Sequence, residues 1–187
     1  MWSCLPVKFL EKLDTRKHLL LVYDDIKRAK KIEFEFIKIG LLNDESCIFL
    51  VDHDTKIKLV KNEMEQHGIN IKHYESKNRL HIYQIPQLDK GPDGIWAGFK
   101  KFGEKIFSES PAPYRIVGRI IPDIRNEFGM SVQMVIEKNV HSVFDELDAN
   151  IMCHYDIREI PEKNRTETID KLCKSHHIII DIRDNKE

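Results

Sequence analysis

From position 18 to 31 the chain reads His18-Leu-Leu-Leu-Val-Tyr23-Asp24-Asp25-Ile-Lys-Arg-Ala-Lys-Lys31. After the first histidine this opens as an apolar run, bounded by Lys17 and Asp24. Such a run fits a strand buried on both faces, as a parallel sheet covered by helices requires. Asp24 or Asp25 is then placed to cap a helix reaching Leu41, because a carboxylate there accepts the free amides of the first turn. Ile26, Ala29, Ile32, Phe36 and Ile37 fall on one side of that helix. Ile32-Glu-Phe-Glu-Phe36 alternates as a strand would, but the cap, the length and the need for a crossover favour helix. Gly40 lies near the helix end, where a left-handed residue closes the last turn.

Working outward, Ser46-Cys-Ile-Phe-Leu-Val51 is a second buried strand, and Thr55 to His67 a helix with Gly68 as its terminator. Ile69–Tyr74 and Leu80–Ile85 read as two further strands, joined as a hairpin through the polar Glu75–Arg79. Gln87–Gly94, with Pro92, is a loop. A helix over Gly94–Phe107 follows, and Ser108–Pro113 breaks it. Tyr114–Ile121 is the fifth strand, and Asp123–Leu147 is helix-rich with a break at Gly129. Asn150–Tyr155 is a strand, Thr166–Lys174 a helix and His177–Ile182 the last strand. In front of all this, Pro6–Leu13 is a short amphipathic helix that either docks on the domain or serves as a dimerisation arm. Alternating strands and helices define an α/β three-layer sandwich with a mostly parallel central sheet. Residues 1–17 form a helical extension and 18–187 a single domain.

Composition narrows the function classes. The chain has 187 residues, 30 Lys plus Arg against 31 Asp plus Glu, and a net charge of -1. A dedicated nucleic-acid binder carries a basic excess, so this balance argues against one. The run Lys27, Arg28, Lys30 and Lys31 reads as a solvated helix face. No apolar stretch approaches the length of a membrane span, and the charged N-terminus is no secretory signal, so a cytoplasmic protein is expected. Cys4, Cys47, Cys153 and Cys173 are widely spaced, as suits buried reduced thiols rather than a disulfide scaffold.

The chemistry that this architecture often carries is missing. A triphosphate-binding loop needs glycines and a Lys-Ser/Thr pair after the first strand, so that backbone amides can approach the phosphates. Here Asp24 and Asp25 stand in that place and repel an anion. No Gly-x-Gly-x-x-Gly fingerprint is present either, so no nucleotide or dinucleotide cofactor is expected. Cys153-His154 and Cys173-Lys-Ser-His176-His177 offer metal donors, but without a Cys-x-x-Cys frame. Neighbouring strand residues such as Cys153 and His154 also face opposite ways, so no metal site is expected. The nine histidines are scattered. There is no Gly-x-Ser-x-Gly elbow, and Cys153 reads as an inert thiol.

Several segments share an order with one prokaryotic family. These are His18–Tyr23, Phe36-Ile-Lys-Ile-Gly40-Leu41, Glu45–Val51, Gly68–Ile71, Leu80-His-Ile-Tyr83, Arg115-Ile-Val-Gly118-Arg119, Glu137, Cys153-His-Tyr155-Asp156 and His176. In this the chain resembles the MEDS (methanogen/methylotroph sensory) domains over about His18 to Ile182. It departs from the pattern at Arg119-Ile-Ile-Pro122, which lacks the expected aromatic and methionine residues. The resemblance implies a RecA/KaiC-like fold without its nucleotide loop. It also implies a non-catalytic sensory or signalling role, with a small, hydrocarbon-derived ligand or a regulatory protein as partner and a homodimer as one form of output. A divergent nucleotide-binding protein, or an enzyme with an unconventional site at the strand ends, is the alternative.

In a parallel sheet the carboxyl ends of the strands form the ligand crevice. Tyr23, Asp24, His53, Tyr155 and Asp156 lie at such ends, and Glu137 sits on a helix placed to reach them. These six are the candidate ligand-binding residues, with a plain capping turn as the competing role for Asp156. His18, at the opposite end of its strand, reads as structural.

Overall fold

The computed structural model describes residues 5–13, 16–88, 94–121 and 123–184. Its strands are β1 (His18–Tyr23), β2 (Ser46–Val51), β3 (Leu80–Gln84), β4 (Tyr114–Val117), β5 (Ala149–Asp156) and β6 (Ile178–Asp181). Its helices are α1 (Leu5–Glu11), α2 (Ile26–Leu42), α3 (Ile57–Gln66), α4 (Ile71–Ser76), α5 (Gly94–Glu109), α6 (Glu127–Ser142) and α7 (Arg165–Lys174). The strands form one sheet in the order β3-β2-β4-β5-β1-β6, and every pairing is parallel. The mostly parallel central sheet expected from the sequence is parallel throughout among the described residues.

Helices cover both faces, which explains why β1 and β2 are buried at every residue. One core joins Leu19 and Leu21 of β1 to Ala29, Phe36 and Ile37 of α2, Met64 of α3 and Ile71 of α4. Leu10 of α1 is fully buried in that same core. The other face packs Leu20, Val22, Cys153 and Tyr155 beneath Met130 of α6 and Leu172 of α7, with a neighbouring cluster around Phe102 and Ile106 of α5.

Several sequence expectations are corrected. Residues 69–74 are not a strand, so there is no hairpin; β3 pairs with β2 in parallel after the α3–α4 crossover. The Asn70 side chain accepts the His73 amide and starts α4, and Ile71 and Tyr74 then share the core-facing side at helical spacing. The fifth strand stops at Val117 rather than Ile121. Gly118 there has φ +149°, and a Cβ on it would lie 2.4 Å from Leu50 Cβ, so the chain turns past β2 where only glycine fits. The 123–147 stretch contains one unbroken helix from Glu127, and Gly129 does not interrupt it. Gly129 sits in the first turn, its amide held by the Asn126 cap at 2.8 Å.

Gly40 does not close α2 in a left-handed conformation either; Asp44, with φ 61°, is the left-handed residue of that connection. Gly40 is needed for close approach. A Cβ there would lie 2.6 Å from Arg115 Cδ and 2.7 Å from Cys47 Sγ. The space it leaves holds a buried ion pair, with Arg115 Nε and Nη2 donating to Glu45 at 2.6 and 2.8 Å. Arg115 Nη1 donates to the Phe36 carbonyl at 3.2 Å, and its guanidinium lies 4.7 Å from the Phe36 ring centre.

Candidate functional site

The turn after β1 is two residues long. Asp25 caps α2, its carboxylate accepting the amides of Lys27 at 2.8 Å and Arg28 at 3.4 Å. Those amides, which hold phosphate in nucleotide-binding relatives of this architecture, are already occupied by an internal anion. Of the basic run on α2, Arg28 pairs with Asp184 and Lys30 with Glu63, both at 2.5 Å.

The sheet separates the six candidate residues. β1 and β5 run in register, so Tyr23 lies opposite Asp156, and Val22 opposite Tyr155. Side chains alternate along a strand, so Tyr23 and Asp156 share one face while Tyr155 points to the other. Tyr23 belongs to the α2 side, where burial, then Glu33 and Asp156, push its phenol pKa up. Asp156 accepts the Arg158 amide at 2.9 Å and pairs with the Arg158 guanidinium, so it makes the capping turn. Asp24 accepts the Asp184 amide at 3.1 Å. His53, just past β2, is paired with Asp54 at 3.3 Å. Of the six, Glu137 and Tyr155 are joined by a side-chain hydrogen bond, with Tyr155 donating to Glu137 Oε1.

That contact opens onto a denser cluster on the α6 side of the sheet. Gln133 and Glu137 stand one turn apart on α6 and are both buried. Gln133 Nε2 donates to Glu137 Oε1 at 2.7 Å, and Gln133 Oε1 accepts the Ile121 amide at 2.9 Å. Oε1 is thus satisfied by protein donors. The other carboxylate oxygen, Oε2, faces His18 Nε2 at 3.3 Å, His176 Nε2 at 3.4 Å and Cys153 Sγ at 3.5 Å. His18 Nε2 is itself 3.3 Å from Cys153 Sγ. Phe144 stacks on the His18 ring with centroids 5.4 Å apart, and the His176 ring tilts against it at 3.9 Å.

Burial alone would raise the Glu137 carboxyl, but His18, His176 and Tyr155 outweigh it and hold the group well below the usual carboxylate range. Desolvation lowers the His176 imidazole to about 4. Burial, followed by the Glu137 charge, pushes the Cys153 thiol and the Tyr155 phenol up. His154 points to the opposite face from Cys153, as strand alternation requires, and pairs there with Glu33 at 2.7 Å. Cys47, Cys153 and Cys173 are free thiols, the first two buried; Cys4 and the Pro92 loop tip lie outside the described residues.

A cavity of about 630 Å³ adjoins the cluster, between α5, α6 and the sheet. Phe99, Phe102, Ile106, Ile116, Ile136 and Val140 contribute to its walls. Its buried polar lining is Arg119, Gln133, Glu137 and Cys153. Arg119 is oriented by Glu159 at 2.9 Å and by the Ile121 carbonyl at 2.9 Å. Among the described residues no helix is long and apolar enough to cross a membrane.

The sheet, its two helical layers and the capped turn define a KaiC-like α/β domain without a phosphate loop. A KaiC-like protein of Pyrococcus horikoshii OT3 superposes with a TM-score of 0.64 at 16% identity, covering 92% of this chain and 75% of that one. A second Pyrococcus horikoshii OT3 protein gives 0.63 at 13% identity, covering 96% and 88%. No curated protein matches. Residues 17–177 match the MEthanogen/methylotroph, DcmR Sensory domain, and the chain belongs to this MEDS family.

Proposed function

We propose that this sensory domain is non-catalytic and binds a small, largely apolar molecule bearing one hydrogen-bonding group, in the cavity between α5, α6 and the sheet. The observation that carries this reading is the combination of aliphatic and aromatic walls with four buried polar groups on one lining. Few oriented polar groups in an apolar chamber of some hundreds of Å³ is the usual composition of a small-molecule site. The family's sensory character supports it, and a short hydrocarbon derivative suits such walls. Ligand selectivity then rests on Arg119 and Gln133, whose partners Glu159, Ile121 and Glu137 fix them in place.

A thermal-shift panel of short alcohols, amines, ketones and halogenated alkanes tests the reading. At least one compound should raise the unfolding midpoint, and Ile136→Trp, which fills the chamber, should abolish that rise. No shift from any compound, or a shift that survives Ile136→Trp, overturns it. The nucleotide alternative predicts heat on titration with ATP; the capped turn predicts none.

A further inference from the structure

The buried group His18, Glu137, Cys153 and His176 brings four metal-ligating atoms within 4.8 Å of one another. Tetrahedral zinc has bonds of about 2.0–2.1 Å to imidazole, 2.0–2.2 Å to carboxylate and 2.3 Å to thiolate, which place neighbouring ligand atoms roughly 3.3–3.6 Å apart. The four separations among these donors given above, 3.3, 3.3, 3.4 and 3.5 Å, fall in that range. We propose that these residues form a binding site for a divalent transition metal of zinc type.

A second observation points the same way. His176 Nδ1 lies 2.7 Å from the Leu172 carbonyl, which can only accept. In the neutral ring Nδ1 therefore carries the proton, and Nε2 presents a lone pair. That Nε2 is buried, has no hydrogen-bond partner and faces the Glu137 carboxylate at 3.4 Å. A lone pair facing an anion in a buried site is repulsive unless a cation stands between them. The Leu172 bond is also the outer contact that orients a metal-bound histidine, and Gln133 and Tyr155 orient Glu137 through its other oxygen.

Two imidazoles, a thiolate and a carboxylate suit a borderline-soft ion and not calcium or magnesium, which take oxygen. Glu137 and Cys153 line the cavity, which provides the entry path. Cys153 binds as thiolate, its proton leaving to solvent as the metal enters. The inference does not depend on the cavity holding an organic ligand.

Chelator-treated full-length protein titrated with Co²⁺ tests the site. One equivalent should produce visible d–d bands of four-coordinate intensity and a thiolate charge-transfer band, both erased by one equivalent of Zn²⁺. Zn²⁺ should also raise the unfolding midpoint. Cys153→Ser should remove the thiolate band and Cys173→Ser should retain it; His176→Ala should weaken binding at least about tenfold. Zinc X-ray absorption should show one sulfur and three nitrogen or oxygen neighbours. Wild-type protein that gives neither the cobalt bands nor the zinc-induced shift overturns the proposal, as does a thiolate band that survives Cys153→Ser.

Discussion

Replacing Arg115 with methionine removes the cation from the buried ion pair between β4 and Glu45. The Arg115 side chain is fully buried, and that of Glu45 is 12% exposed. Breaking a buried pair leaves the remaining charge without a partner, at a cost of about 3–5 kcal/mol. Glu45 keeps a small contact with water, which places Arg115→Met near the lower end, about 3 kcal/mol. Replacing both partners, with Arg115→Met and Glu45→Leu together, removes the charges and refills the space with apolar atoms. The double variant should lie within about 1 kcal/mol of the wild type, since such replacements are often neutral or stabilising. Urea unfolding followed by far-ultraviolet circular dichroism at neutral pH measures all four members of the cycle, provided the m value is unchanged. If Arg115→Met costs under about 1 kcal/mol, or the double variant is less stable than either single one, the argument from burial is wrong.

Two further outcomes follow from the geometry. Both His176 and Glu137 have folded-state pKa values below their unfolded ones, so each contributes stability above its unfolded value that is lost on acidification. Thermal midpoints of chelator-treated protein should therefore hold above pH 6.5 and fall as His176 is protonated down to about pH 4. Glu137 extends the loss below its ordinary value of 4.5, and a flat profile from pH 7 to 4 would contradict the described burial. Gly118→Ala meets both a backbone conformation unsuited to alanine and the Leu50 side chain, and should cost at least about 2 kcal/mol in the urea midpoint; a neutral result would mean that β2 and β4 separate easily there.

The layered fold was legible because its dominant signal is local. After their first residues, HLLLVY and SCIFLV are unbroken apolar runs, as strands covered on both faces require. Residues 69–74 misled because Ile69 and Ile71 stand two apart, as on one face of a strand, while Ile71 and Tyr74 stand three apart, as on one side of a helix. What decides is the Asn70 cap, a side-chain contact rather than a pattern. Gly40 misled for a related reason: its position suggests a helix end, but the constraint comes from Arg115, 75 positions away in sequence.

The site was harder to read. Glu137 and Tyr155 are among the candidates that strand-end position points to, yet His18 reads as structural from its place in β1 and the nine histidines are scattered in sequence. His18, Glu137, Cys153 and His176 come from β1, α6, β5 and the connection two residues before β6, and the strand order β5-β1-β6 places them side by side. One local signal was available: His18 is a polar residue at the head of an otherwise apolar, fully buried strand. A polar group so placed needs a partner, and that partner marks the site.

The two-residue connection between β1 and α2 also bears on how this scaffold can change. Its first-turn amides are committed to Asp25, and Asp24 and Asp25 are all that separate Tyr23 from Ile26. Point substitution removes the carboxylates but adds no length, so a glycine-rich phosphate loop at this connection requires an insertion as well as new residues.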